Sequence, residues 1–118
     1  MPTFEAWCIV KVPFPYTARP VQQRRPALVV AAGRLQSEHG MLWVLMITSA
    51  DNRAWPWDVP VSDLVTAGLP APSVVRCAKL AAIEAVHAER LGELAVADRL
   101  SVATNLTLAL QEVLGNVA

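Results

Sequence analysis

The stretch Arg24-Arg25-Pro26-Ala27-Leu28-Val29-Val30 constrains what this chain can fold into more than any other. A proline fixes its own φ and pushes the residue before it toward extended backbone. The run after it, Ala27 to Ala32, is apolar and β-prone, so residues 25–32 read as a buried strand. Arg25 is therefore expected at the start of a core strand, on rigid backbone, at the rim of the fold. A cation held that way suits a phosphate. Two arginines before a strand also serve as solvated guards against edge pairing, and the dipeptide alone leaves both readings open.

The rest of the chain supplies more short strands and one helix. Residues 4–14 read as a strand, with Cys8, Val10, Val12 and Phe14 on one face and Trp7, Ile9 and Lys11 on the other. Pro13 and Pro15 end it, because proline donates nothing to a ladder. Residues 16–23 form a polar loop carrying Arg19, and residues 33–40 read as a turn between strands. Residues 41–48 are nearly all apolar, the pattern of a strand buried on both faces. That strand runs out into Thr48-Ser49-Ala50-Asp51-Asn52-Arg53. After Trp55-Pro56-Trp57 come a short strand at 58–61 and a helical turn at 62–64 capped by Ser62. A loop stiffened by Pro70 and Pro72 leads to a strand at 73–77, whose pairing continues over 80–86. Residues 91–94 read as a turn. From Ala97 to Leu114 the apolar positions Leu100, Ala103, Leu106, Leu110 and Val113 recur at helical spacing. Asp98 sits in the first turn, where the helix dipole favours a carboxylate, and Gly115 can end the helix. Many short strands before one terminal helix predict a single domain over 1–118, mainly β, a small barrel with a helix packed on it.

Hydrophobic residues make up 54% of the 118 and charged residues 17%, against about 45–50% and 25% in ordinary domains. So small a chain cannot bury all of this, which predicts an apolar surface patch and a second copy of the chain to cover it. The formal net charge is zero, yet residues 1–79 carry eight Lys/Arg and five Asp/Glu while residues 80–118 carry two and five. A modest basic bias toward the N-terminal part allows a polyanion there. Cys8 and Cys77 fall in β-like runs, without metal-binding spacing. The N-terminus lacks a basic leader and no apolar run is long enough to span a membrane, so a reduced cytoplasmic protein is expected.

No nucleophile motif, phosphate-cradling glycine loop or metal-binding motif is present. His39 and His87 fall in expected turns, and the cysteines read as core. What remains is a guanidinium and hydroxyls at strand ends. If the strands carrying Arg25 and Thr48 are neighbours, the two side chains converge at one rim, able to stabilise a phosphorane-like transition state. Against RNA the substrate's own 2′-OH is the nucleophile, and the protein need only position and stabilise charge.

The segments Val10-Lys11-Val12-Pro13-Phe14-Pro15-Tyr16-Thr17, Arg24 to Val30, Ile47-Thr48-Ser49, Ser73-Val74-Val75-Arg76-Cys77-Ala78-Lys79 and Leu91-Gly92-Glu93-Leu94 stand in this order. Together they closely resemble the MazF/PemK/Kid family of toxins from toxin–antitoxin systems. The resemblance implies an SH3-like barrel of the CcdB/MazF/Kid type, a homodimer and a cognate antitoxin. It also implies metal-independent, sequence-specific cleavage of single-stranded mRNA through a 2′,3′-cyclic phosphate, with no cofactor. By that resemblance the catalytic residues are Arg25 and Thr48, with Arg76 contributing as in the PemK/Kid branch. Candidate RNA contacts are Arg19, Arg24, Arg53 and Lys79, with Ser49 and Asn52 at the end of the third strand. Trp55 is a candidate stacking surface; of Trp55 and Trp57, one is expected to pack and one to contact RNA. The chain departs from the PemK/Kid branch at Ala78, where an aspartate is usual, and residues 16–23 lack the histidine of some members. Two other readings stay open: a non-cleaving toxin of the CcdB type that poisons gyrase, and a non-catalytic homologue.

Overall fold

The computed structural model describes residues 3–13 and 23–115. Among the described residues six strands form one antiparallel sheet. They are β1 (Cys8–Pro13), β2 (Arg24–Ala31), β3 (Met41–Ser49), β4 (Asp58–Pro60), β5 (Ser73–Glu84) and β6 (Glu89–Glu93), in the spatial order β4-β5-β3-β2-β1-β6. The α-helices among the described residues are α1 (Gly33–His39), α2 (Leu64–Ala67) and α3 (Val96–Leu114). The mainly β class with a C-terminal helix is as expected. The sheet is open rather than a closed barrel, with β4 and β6 as its edges.

Alternation along β1, β2 and β3 feeds a core on each face. Cys8, Val10, Val12, Ala27, Val29, Val44 and Met46 join Phe4 and Ile83 on one side. Ile9, Leu28, Leu45, Ile47 and Val75 join Val59, Leu94 and Val102 of α3 on the other. At about 25 cal/mol per Å² of apolar area, the centre of β3, buried on both faces, is the most strongly held part of the sheet. The expected first strand is shorter: residues 4–7 turn ahead of it, with Trp7 at φ 75°. Phe14, Pro15 and the loop 16–22 lie outside the described residues.

The strand expected at 73–77 and the pairing expected to continue over 80–86 are one strand, β5, which ends at Glu84. The β3–β5 register passes from Leu45↔Leu80 to Met46↔Arg76, so Cys77, Ala78 and Lys79 are extra residues on β5. Residues 77–79, which lay between the two expected stretches, form a bulge.

Four expectations are corrected. Residues 33–39 are a helix, not a turn; it ends at Gly40 in the left-handed conformation, whose N–H reaches the carbonyls of Gln36 and Leu35. It also sends Gln36 across to Phe4, accepting from its N–H at 3.0 Å and donating to its carbonyl at 2.9 Å. The cap of α2 is Asp63, not Ser62, accepting from Thr66 N–H at 3.0 Å; the Thr66 hydroxyl, donating to the same carboxylate at 2.7 Å, and this N–H together lower the Asp63 pKa. Residues 91–93 belong to a strand paired with β1, not to a turn. Finally, α3 faces the core differently. Asp98 is buried and accepts from both the Ser62 N–H and its hydroxyl at 2.9 Å. That anchor turns Asp98 and Val102 inward, with Leu106 packed against the core, and leaves Leu100 77% exposed. Leu110 is exposed as well, and the side chain of Val113 lies outside the described residues.

Candidate functional site

Antiparallel pairing sets the site. The β2–β3 register runs Ala27↔Met46 and Leu28↔Leu45. Carried two residues further, it puts Arg25 across from Thr48, the juxtaposition expected from the sequence. Arg25 is also the Cα partner of Val12, and Arg76 that of Met46. Directly opposed residues share a face, so Arg25, Thr48 and Arg76 all belong to the face of Val12 and Met46, at one end of the sheet. Arg25 and Thr48 both line a cavity of about 300 Å³ at the ends of β2 and β3.

The polar groups there are wired. The Arg25 guanidinium donates to the Gln23 side-chain carbonyl at 3.0 Å. Thr48 is buried, and its hydroxyl oxygen accepts from the Asn52 amide at 2.6 Å. An oxygen occupied in this way keeps its own hydrogen to donate elsewhere. Asn52, expected as an RNA contact, therefore orients Thr48. The turn that delivers it is tied down by Asn52 N–H to Ser49 carbonyl at 3.1 Å and Asp51 N–H to the Ser49 hydroxyl at 3.2 Å.

Arg76 is placed on the same face but committed elsewhere. It is 7% exposed. Its Nε donates to Asp58 Oδ1 at 3.3 Å, and its Nη2 to Asp58 Oδ2 at 3.2 Å and the Arg53 carbonyl at 2.8 Å. Its Cζ stacks 4.3 Å from the centroid of the Trp55 ring. This bidentate pair, in a nearly dry setting, holds the loop between β3 and β4. Trp55, whose backbone N–H also donates to Asp58 at 2.9 Å, is presented to solvent at 42% exposure. Lys79, from the bulge, lies with its Nζ 6.0 Å from the same ring. Trp57 instead packs on the core at φ 66°, its carbonyl accepting from Asn105. Of the two tryptophans, Trp55 is the one free to meet a ligand.

Other expected contacts are dispersed. Arg24 alternates to the opposite face, donates to the Lys11 and His87 carbonyls at 3.3 Å each and pairs with Glu89 at 3.7 Å. Arg53 contributes its carbonyl to Arg76 and is itself exposed. Arg19 lies outside the described residues. Burial, with Asp58 nearby, pushes the Cys77 thiol up to about 11, so it stays protonated at neutral pH and is no nucleophile. Burial raises Cys8 as well, against the opposing pull of Arg90. Among the described residues no three His, Cys, Asp or Glu side chains come together as metal ligands, and no helix is long and apolar enough to cross a membrane.

Two contributors to the cavity were missed: Lys11 on β1 and the loop 68–73. Lys11 left a signal, a lone charge in a strand otherwise apolar on both faces; the loop left none.

This arrangement of sheet and helix is shared with solved structures of known proteins. The crystal structure of MazF from Deinococcus radiodurans superposes with a TM-score of 0.74 at 21% identity, covering 98% of this chain and 99% of that one. A MazE–MazF structure from the same organism gives 0.72 at 21% identity, over 93% and 97%. The Mycobacterium tuberculosis toxin MazF-mt6 gives 0.67 at 23% identity, over 86% and 95%. Among curated proteins no sequence matches. The chain belongs to the PemK-like, MazF-like toxins of type II toxin–antitoxin systems, whose sequence pattern matches residues 5–110.

Proposed function

We propose that this toxin is a metal-independent endoribonuclease acting on single-stranded RNA. The observation that carries the reading is the pairing of Arg25 with Thr48 across β2 and β3, at a cavity, with Asn52 turning the Thr48 hydroxyl into a donor. In the reaction the 2′-oxygen bonds to phosphorus, the bond to the 5′-oxygen breaks, and a 2′,3′-cyclic phosphate remains. Water takes the 2′ proton and supplies one to the leaving oxygen. Arg25 and the Thr48 hydroxyl bind the phosphoryl oxygens as their charge grows. Trp55, backed by Arg76, offers its exposed face to an unpaired base, a contact of about 1–3 kcal/mol. Arg76 is a positioning residue in this scheme. Ala78 lies exposed in the bulge, and the carboxylate that Arg76 holds is Asp58.

Two partners follow from the same reading. One is a cognate antitoxin whose extended segment covers the rim; MazE–MazF complexes are among the similar structures. The other is a second copy. Val96, Leu100, Ala103, Thr107, Leu110 and Leu114 are all exposed on α3 at spacings of four and three, a helix-pairing pattern. Sedimentation at micromolar concentration should give twice the 12.8 kDa chain mass; a monomer would refute the dimer.

The function is tested by incubating the protein with a long, weakly structured RNA in EDTA, beside Arg25→Ala, and mapping the ends. Discrete cuts with cyclic-phosphate ends, lost in the variant, are expected. Undegraded RNA from folded wild-type protein would refute the reading.

A further inference from the structure

The rim cavity extends past the residues that flank the cut. Along β1, β2 and β3 the side chains of Lys11, Pro26 and Ile47 alternate onto the face of Ile9, Leu28 and Leu45. Arg25 and Thr48 alternate onto the other. The cavity of about 300 Å³ therefore begins at the strand ends beside Arg25 and Thr48 and lies largely on the opposite side of the sheet. Its walls are Lys11 and Pro26, Ile47, and Leu69 to Pro72 of the loop between α2 and β5.

These walls are built rather than loose. An added Cβ at Gly68 would stand 2.1 Å from the Leu91 carbonyl oxygen, and one at Gly92 2.4 Å from that of Thr66, so the loop seats directly on β6. The Ala50 N–H holds the Pro72 carbonyl at 3.0 Å, and the Leu69 N–H is held by Leu64 at 3.0 Å. Pro70 and Pro72 fix their own φ and have no N–H to offer. An extended peptide adding itself by backbone pairing finds few groups here. The chemistry left is one cation beside a flat apolar wall. Among the described residues Lys11 pairs with no carboxylate, its cross-strand partner Glu89 being held by Arg24.

Resting on the ribonuclease reading above, we propose that this cavity is a nucleotide subsite. It takes the residue of the RNA chain adjoining the cut, its phosphate at Lys11 and its base against Leu69 and Pro70. A chain whose scissile phosphate lies between Arg25 and Thr48 reaches the cavity by crossing the ends of β2 and β3. The volume, at the small end of the usual range of about 300–1,000 Å³, admits one nucleotide and no more. Part of the sequence preference of the enzyme is then set by the 68–73 loop.

The test uses full-length protein and an RNA oligonucleotide centred on a mapped cut, made uncleavable by one 2′-deoxy residue. A series carries an abasic residue at each flanking position. In wild-type protein one flanking abasic position should weaken binding about tenfold. Lys11→Met should weaken binding of the intact oligonucleotide about tenfold and lower the salt slope of log K by about one. It should make that same abasic substitution nearly silent, and Lys11→Arg should restore the slope. An unchanged slope in Lys11→Met, or abasic penalties equal at all positions in both proteins, overturns the subsite while leaving the nuclease standing. Wild-type protein that neither binds nor cuts RNA overturns both.

Discussion

Arg25 and Arg76 share a sheet face near the same end of the molecule, yet their surroundings differ. Arg76 is nearly dry, with Asp58 along the Nε–Nη2 edge of its guanidinium, the Arg53 carbonyl also on Nη2 and Trp55 stacked on its plane. Arg25 lines a cavity, bonded to an exposed glutamine. A guanidinium enclosed by a carboxylate, a carbonyl and a ring spends its donors on structure, whereas one at a cavity wall can turn them to a phosphate. Residue type and strand position alone do not separate these fates; the partners do.

The comparison breaks most visibly at Arg76. Removing it leaves the part-buried Asp58 carboxylate with the Trp55 backbone N–H but no cation, so Arg76→Ala should lose about 3 kcal/mol of unfolding free energy in urea. The loop carrying Trp55 should loosen with it, seen as quenching of tryptophan fluorescence by acrylamide. Stability unchanged within about 0.5 kcal/mol would show that the pair is not what holds the loop. At the other arginine's partner, Thr48→Val keeps shape and deletes the donor. Cleavage should fall about a hundredfold, the scale of one lost oxyanion donor. Asn52→Ala, which only frees the hydroxyl to rotate, should cost less, about tenfold. Equal losses in the two variants would mean that Asn52 acts on RNA itself. The smallest effect belongs to Trp55→Ala, which should raise KM about tenfold with kcat nearly constant. A fall in kcat alone would place the indole closer to the reacting atoms than this geometry does.

Much of this was legible in the chain because it is local. The proline after Arg25 and the apolar run behind it dictate a strand that starts there, and Thr48 lies in the most apolar strand of the sheet, one residue before its end at Ser49. Alternation in residues 8–12 assigned both faces correctly. What escaped depends on contacts between distant residues. The inward face of α3 is chosen by Asp98 bonding to Ser62, 36 residues away. The bidentate partner of Arg76 is Asp58, 18 residues away. The helix at 33–39 buries none of its residues and so shows no apolar period; the bond from Gln36 to Phe4 ties it to the rest of the fold. Lys11 gained its place in a cavity only when β1 and β6 were brought beside the 68–73 loop.

The central claim, that Arg25 acts on phosphate while Arg76 holds structure, is tested most directly by one paired measurement. Thermal midpoint and RNA cleavage rate are recorded for Arg25→Ala and Arg76→Ala together. Arg25→Ala should keep the wild-type midpoint and lose about a hundredfold or more in rate. Arg76→Ala should drop in midpoint and, below its own transition, retain more activity than Arg25→Ala. An Arg25→Ala protein that still cuts RNA at the wild-type rate, or one that simply unfolds, would contradict the account.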